Sequence, residues 1–487
     1  MSPEPSFLAT RRGKLTLAFL CGVAFLDFVD ASIVNVALPS IRESLHFSIQ
    51  SLQWVLSGYL LTYGGFMLLG GRAADLIGRR RVLVAGTSLF GLASLAAGLA
   101  GSEGMLIGAR LAQGVGAAMM IPAALSILTT SFSEGRDRNT AIGAWGTTAG
   151  LASALGVFLG GVLAEGPGWR WVFFVNLPVC VLDLVVVFRL VDGERHRSRL
   201  ANFDALGALL ATSGMLLLIY TIIKAPDAGW GTARTIGGLT GAAVLFAAFA
   251  VNEARQPDPL FPFSILRIKG LAAADLTQVI AMSGFYATFF FLTLYMQTVL
   301  GFSRIQAGAA YLPTTLGVAI ASGIASKLFA RTGTRPIIVA GALLGATGVF
   351  WLSRIPVHGS YVKDLLPGLV IMSAGLGAVF VGVTTAAQAG VPPDKAGLAA
   401  ALINTSTWLG GALGIAVASA ISTSRAHHLL AAHATAHEAL TSGFQRALLA
   451  CSIAMLVAAV LAVRATNTRG EPVPTPSLEV VPVPENV

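Results

Sequence analysis

Runs of about 20 apolar residues recur along this chain from end to end, separated by short stretches holding Arg, Asp, Pro or Gly. They lie near 15–38, 52–71, 82–101, 105–130, 139–164, 171–190, 205–223, 235–252, 271–299, 307–329, 337–353, 365–389, 397–421 and 443–464. A run of that length crosses a bilayer as a helix, because a helix satisfies its backbone N–H and C=O groups within one segment. With 55% hydrophobic and only 11% charged residues among 487, the chain has too little polar surface to hide these segments in water. The expected fold is all-α and polytopic, with fourteen transmembrane helices and no soluble domain between them.

Charge sets the orientation. With the N-terminus inside, 22 of the 32 Lys and Arg residues fall in cytoplasmic segments and 9 in outer loops, while Arg110 lies within a span. That asymmetry places both ends in the cytoplasm. It also explains the net charge of +9 without nucleic acid, since the basic residues cap helices rather than form a patch. Cys21, Cys180 and Cys451 all fall within apolar runs and read as small buried side chains. Arg11, Arg12 and Lys14 precede the first span, which carries Asp27 and Asp30 and lacks a small-residue cleavage site, so it reads as a retained helix. The segment 467–487, with Pro472, Pro474, Pro476, Pro482 and Pro484, reads as a disordered cytoplasmic tail. His433 and His437, one helical turn apart in an outer loop, have metal-ligand spacing, but no Cys or carboxylate pair completes a site and a solvated amphipathic segment explains them.

Ionisable groups inside a bilayer cost several kcal/mol and are functional candidates by default. Asp27 and Asp30 stand one turn apart near the middle of the first span. Two carboxylates so close disfavour double ionisation, which suits one of them to gain and lose a proton at physiological pH. Arg110, in the outer half of the fourth span, requires an anionic partner, and Asp30 is at comparable depth. The pair either holds one charge fixed while the other carboxyl titrates, or is a static pair fixing helix packing. Asp183, deep in the sixth span, is a second proton group or a local partner of Arg189. Asp275 and Asp204 lie near cytoplasmic helix ends, where capping explains them as well as transport does. Among the polar and aromatic side chains, Asn35, Trp54, Tyr59, Gln113, Trp145, Tyr286, Gln297 and Trp408 are candidates to line a cavity for amphipathic molecules.

Nothing resembles an enzyme. There is no Gly-Lys-Ser or Gly-Lys-Thr phosphate loop, no metal-ligand spacing above chance and no nucleophile with a plausible triad, so no cofactor is expected. Energy must then come from an ion gradient: one charge crossing 100 mV is worth about 2.3 kcal/mol and one pH unit about 1.4 kcal/mol.

Several segments carry a recognisable signature. After the second span the chain reads Gly71, Arg72, Ala73, Ala74, Asp75, Leu76, Ile77, Gly78, Arg79, Arg80, Arg81. Gly71 permits close helix approach, Gly78 a tight turn, and Asp75 a cap or a pair with the arginines, which otherwise read as positive-inside anchors. This segment resembles the signature loop of the major facilitator superfamily. A weaker echo after the tenth span, at Gly323, Ala325, Lys327, Arg331, Gly333, Thr334 and Arg335, lacks the acidic residue. In the first span Asp30 to Pro39, in the second Gln53, Trp54, Tyr59 and Leu61, in the fourth Arg110, Gln113, Gly114, Gly116 and Ala118, and near the sixth Trp169, Arg170, Trp171, Phe173, Asn176 and Pro178 are similar to the fourteen-helix drug:proton antiporter branch, DHA2. The fifth span carries Gly146, Gly150, Gly156, Gly160 and Gly161, similar to that branch's glycine-rich antiporter motif, with Val157 where the motif has proline. The thirteenth has Asn404, Gly410, Gly411, Ala412, Gly414 and Ala416.

The resemblance implies two six-helix bundles, 1–199 and 256–466, with two inserted helices in 200–255 and alternating access between the bundles. It implies a proton-coupled exporter of amphipathic, cationic or zwitterionic drugs or antibiotics in a bacterial cytoplasmic membrane. Its partners would be a small-molecule substrate, protons and the lipid bilayer, with no nucleic acid, and the protein a monomer. The proton-coupling set is Asp27, Asp30, Arg110 and Asp183; the gating loop is Gly71, Asp75, Gly78, Arg79 and Arg80. A dedicated exporter of one endogenous metabolite and a non-transporting sensor on the same fold are the alternatives.

Overall fold

The computed structural model describes residues 7–132, 136–191, 204–256, 270–389 and 396–469, with the isolated positions 259, 265, 268 and 391. The segment after residue 469, expected as a tail, lies outside the described residues, as do Lys269, Lys395 and the Asp75 side chain. The helices are α1 (Arg11–Leu45), α2 (Trp54–Ile77), α3 (Arg79–Gly98), α4 (Glu103–Ser131), α5 (Arg136–Glu165), α6 (Asn176–Leu190) and α7 (Ala205–Ala228). They continue as α8 (Ala233–Arg255), α9 (Leu271–Leu294), α10 (Leu312–Thr332), α11 (Thr334–Leu352), α12 (Leu366–Gln388), α13 (Ala396–Ala431) and α14 (Ala436–Ala462). Thirteen helices are long and apolar enough to cross a membrane among the described residues. The remaining one, α5, has 30 residues and so, at about 1.5 Å per residue, also has the length to cross.

Two expected spans are interrupted. The tenth begins as a short helix, Arg304–Ala310, and restarts after Tyr311 as α10, whose first turn holds Pro313. Proline has no N–H to offer the preceding turn, so the break falls there. The sixth likewise starts with a separate turn, Trp171–Phe174, ahead of α6 with its Pro178. α1 and α13, at 35 and 36 residues, extend beyond the hydrocarbon thickness.

The two halves repeat one construction, and their glycines show it. A Cβ at Gly156 of α5 would strike the α1 backbone at Val29, and one at Gly160 would strike it at Ile33. In the other half Gly410 and Gly414 of α13 meet α9 at Val279 and Ser283 in the same way. Both pairs are four residues apart on the glycine helix and four apart on its partner, so α1 with α5 and α9 with α13 cross alike. Gly86 and Gly116 likewise join α3 to α4, as Gly341 and Gly375 join α11 to α12. Without a hydrophobic force between lipid-embedded helices, this backbone proximity supplies the packing.

The inserted helices differ in exposure. α7 packs against α2 of one bundle and α13 of the other, and against α8. Thr212 of α7 lies against Gly65, and Ile223 O accepts a hydrogen bond from Gln50 Nε2. α8 buries only Thr235, Ala242 and Glu253 among its residues and presents Ile236, Val244 and Val251 outward. A helix apolar on its outer surface with so little buried is one bathed in lipid.

Candidate functional site

Midway along α1, two carboxylates point to different partners. Asp30 is fully buried and pairs with Arg110 of α4 at 2.7 Å. It also accepts from Gln113 Nε2 at 2.8 Å and from Asn176 Nδ2 of α6 at 2.7 Å. Arg110 donates further, through Nε to the Val55 carbonyl at 2.9 Å and through Nη1 to Gln113 Oε1 at 2.7 Å. Ser94 of α3 accepts from Gln113 at 2.8 Å and from Asn176 at 3.3 Å. A buried ion pair is tenable only when most of its remaining donors and acceptors are met, and five helices, α1 to α4 and α6, converge here to meet them. Two atoms of the network, Arg110 Nη2 and Asn176 Oδ1, stay without a partner among the described residues.

Asp27 forms no ion pair among the described residues. Its two oxygens accept from the hydroxyls of Tyr59 and Tyr63 on α2, each at 2.9 Å. Tyr59 connects the two carboxylate sites, because its ring face lies under the Arg110 guanidinium, 4.2 Å from Cζ to the centroid, while its hydroxyl holds Asp27. Tyr63 connects Asp27 to the other bundle. Its ring stacks on Trp408 of α13 with centroids 4.5 Å apart and planes 22° from parallel, and the ring of Tyr286 of α9 lies 6.1 Å from that of Trp408, tilted by 47°.

The expected cavity residues separate into groups. Tyr59 and Gln113 are fully buried within the carboxylate network, and Trp408 and Tyr286 belong to the aromatic stack. Asn35 and Gln297 join the bundles instead: Asn35 Nδ2 reaches the Phe289 carbonyl at 3.5 Å, and Gln297 Nε2 the Val36 carbonyl at 2.9 Å. Trp54 and Trp145 are half-buried against the core. Asp183 is buried on α6 with Oδ2 unpartnered, and no ion pair with Arg189 forms among the described residues. Tyr63, Ser94 and Asn176 complete the site; Tyr63 is among the aromatic side chains that could line a cavity and Asn176 stands in the segment similar to the DHA2 branch, but nothing in the sequence marks any of the three as a carboxylate's partner.

The outer side is closed. Gly161 of α5 lies against the backbone of Arg304 and Ile305, and Gly308 against Val157 O. Arg304 Nη1 donates to the Ala164 carbonyl at 3.3 Å, and Ile305 N to Glu165 Oε2 at 2.9 Å. α5 runs unbroken through Val157, so one continuous helix makes this seam. Three turns nearer the cytoplasm on the same face, Gly146 has no atom within 4 Å of a would-be Cβ. The helix touches its opposite bundle at the outer end and stands clear of it farther in. Gly150, between them, lies outside the described side chains.

In the loop after α2, Gly78 adopts φ 108°, a conformation that strains any side chain. Gly71 packs on Pro122. Arg79 Nη1 donates to Thr130 Oγ1 at 2.9 Å and Arg80 Nη1 to the Val191 carbonyl at 3.2 Å, so both reach the inner ends of neighbouring helices. The echo in the second half repeats the second bond: Gly333 has φ 81° and Arg335 Nε donates to the Ala465 carbonyl at 2.8 Å.

Comparison with known proteins accords with this architecture. The sequence model of the Major Facilitator Superfamily matches residues 20–415. The chain belongs to the Major Facilitator Superfamily. It is 37% identical over 430 residues to the puromycin resistance protein pur8 of Streptomyces alboniger, covering 88% of this chain and 85% of that one. It is 38% identical over 411 residues to the cephamycin export protein CmcT of Amycolatopsis lactamdurans, covering 84% and 85%. The tetracenomycin C resistance and export protein of Streptomyces glaucescens is 33% identical over 424 residues, covering 87% and 76%. A solved bacterial homologue of the human lysosomal transporter Spinster, inward-facing and unoccupied, shares the fold with TM-score 0.66 at 17% identity, covering 93% of this chain and 97% of that one. Within the superfamily, fourteen helices and the motifs above are those of the DHA2 branch, and the protein is a multi-pass transporter of a bacterial cytoplasmic membrane.

Proposed function

We propose that this transporter exports an amphipathic, cationic or zwitterionic antibiotic in exchange for protons, with Asp27 as the titrating group. One observation carries the reading: of two adjacent buried carboxylates, Asp30 is neutralised by Arg110 while Asp27 has only two tyrosine hydroxyls. Ionised, Asp27 accepts from both hydroxyls. Protonated, it becomes a donor itself, and one tyrosine must turn or withdraw. Tyr63 is stacked on Trp408, so its displacement loosens a contact between the bundles. Cationic substrate and proton then compete for one negative charge, which couples their movements in opposite directions.

In this scheme the units 1–199 and 256–466 rock against each other, and the bonds of Gln297, Arg304 and Glu165 are those broken when the outer side opens. The loop at Gly71, Asp75, Gly78, Arg79 and Arg80 steadies the inner ends of its own bundle during that movement. Asp183 serves as an accessory proton group, and the protein works as a monomer. The relatives' names support an antibiotic as cargo, and since three of them are named for one compound each, a dedicated exporter of a single antibiotic is the second reading. A susceptibility panel separates the two: resistance to several unrelated cations marks a multidrug exporter, resistance to one compound a dedicated one.

Proteoliposomes test the coupling. An imposed pH gradient drives uptake of puromycin or a cationic dye into inside-out vesicles, and Asp27→Asn abolishes the gradient-driven part while leaving equilibrium binding within a few-fold. Gradient-driven flux that is unchanged in Asp27→Asn removes this residue from the mechanism.

A further inference from the structure

The C-terminal bundle contains one buried carboxylate within its spans to which the scheme above gives no task. Asp275 of α9 is 6% exposed. Ser406 Oγ of α13 reaches its Oδ1 at 3.4 Å, and its Oδ2 has no partner among the described residues. One turn along α9, Gln278 donates Nε2 to Thr407 Oγ1 at 2.8 Å while its Oε1 also lacks a partner. A helix end does not account for this, because Asp275 lies inside α9, whose N-cap is Gly270.

No cation meets it. α9 carries only Asp275 and Tyr286 as ionisable groups, α12 carries none, and α13 carries none from Ala396 to Ser424. The inner part of α14 contributes Cys451, and α1 contributes Asp27 and Asp30, already matched by tyrosines and Arg110. At the mouth of this bundle, Arg335 Nε is engaged by the Ala465 carbonyl. Two acceptors without donors, one of them a carboxylate with no ion pair among the described residues, form a site that is short of a hydrogen. A proton on Asp275 supplies it, turning an orphan acceptor into a donor and removing an uncompensated charge.

The three consecutive residues Ser406, Thr407 and Trp408 bind this site to the other. Ser406 touches Asp275, Thr407 holds Gln278, and Trp408 stacks on the tyrosine that holds Asp27. We propose that Asp275 is a second proton-carrying carboxyl, housed in the C-terminal bundle and coupled to Asp27 through residues 406–408 of α13. The proposal rests on the proton-coupled reading given above, and it makes proton uptake a property of both bundles.

Difference infrared spectroscopy of the purified full-length protein, taken across a pH titration, tests it without a substrate. The native protein shows a protonated-carboxyl C=O band that Asp275→Asn removes and Asp275→Glu shifts, separate from the band that Asp27→Asn removes. Coupling appears as a change of about tenfold in the proton affinity of Asp27 when Asp275 is replaced by Asn. Thermal unfolding in detergent verifies that each variant is folded, and Asp275→Glu retains the group if Asp275→Asn does not fold. If Asp27 titrates but no band depends on Asp275, this inference falls and the coupling by Asp27 stands. If neither residue contributes a titrating band, both fall.

Discussion

Arg110 shows what a charge in the bilayer requires of its surroundings. Its guanidinium engages Asp30, Gln113 and the Val55 carbonyl and covers the ring of Tyr59, a set of directions that a lysine ammonium does not reproduce. Removing one member of a buried pair leaves the other uncompensated, at a cost of about 3–5 kcal/mol. Asp30→Asn and Arg110→Ala should therefore each lower the thermal unfolding midpoint in detergent by several degrees, and Arg110→Lys should recover little of the loss. If Arg110→Lys is as stable and as active as the native protein, the forked geometry is immaterial. Sequence made this pair legible because a charge in an apolar run demands a partner, and few were available. It did not reveal that Ser94 and Asn176 serve this pair, although Asn176 stands in a recognisable motif: a neutral polar residue costs little in a helix, and Asn176 lies 146 positions from the carboxylate it serves. Gln113 looked like a cavity residue for the same reason, since its spacing gives no sign that both ends of its amide are occupied.

At the scale of the element, the glycine helices were legible as motifs and their roles were not. Five glycines on α5 form one pattern in sequence, but the four that the structure describes have three different surroundings. Gly156 and Gly160 admit α1, Gly161 admits the short helix Arg304–Ala310, and Gly146 meets open space. Gly160→Leu and Gly414→Leu should each abolish transport and reduce the folded yield, because the new side chain meets backbone that cannot retreat. Gly146→Ala should leave drug resistance on expression within about twofold, since nothing within 4 Å opposes it. A loss of resistance from Gly146→Ala equal to that from Gly160→Leu would mean that the motif acts through helix flexibility rather than through contact. Val157 fits this view: where the antiporter motif has a proline to bend the helix, here a continuous α5 reaches the opposite bundle with its Val157 carbonyl against Gly308.

For the whole molecule, the number of crossings and the sidedness followed from hydropathy and from charge, which act segment by segment. The relation between segments did not, because lipid-facing and bundle-facing helices are equally apolar: nothing in the composition of α7 distinguishes it as the inserted helix that touches both bundles. The outer seam allows a direct test of alternating access. Cysteines placed at Glu165 and Ile305, joined by an oxidant, should stop export, and a reductant should restore it; uninterrupted export in the cross-linked protein would show that the seam stays shut throughout the cycle. α7 also has a consequence for how cargo arrives. By lying along both α2 and α13 it covers the flank where those two helices meet, while among the described residues neither inserted helix packs on α5 or α10. An antibiotic that partitions into the inner leaflet before export thus meets a one-sided doorway, and a relative without the inserted pair would present two.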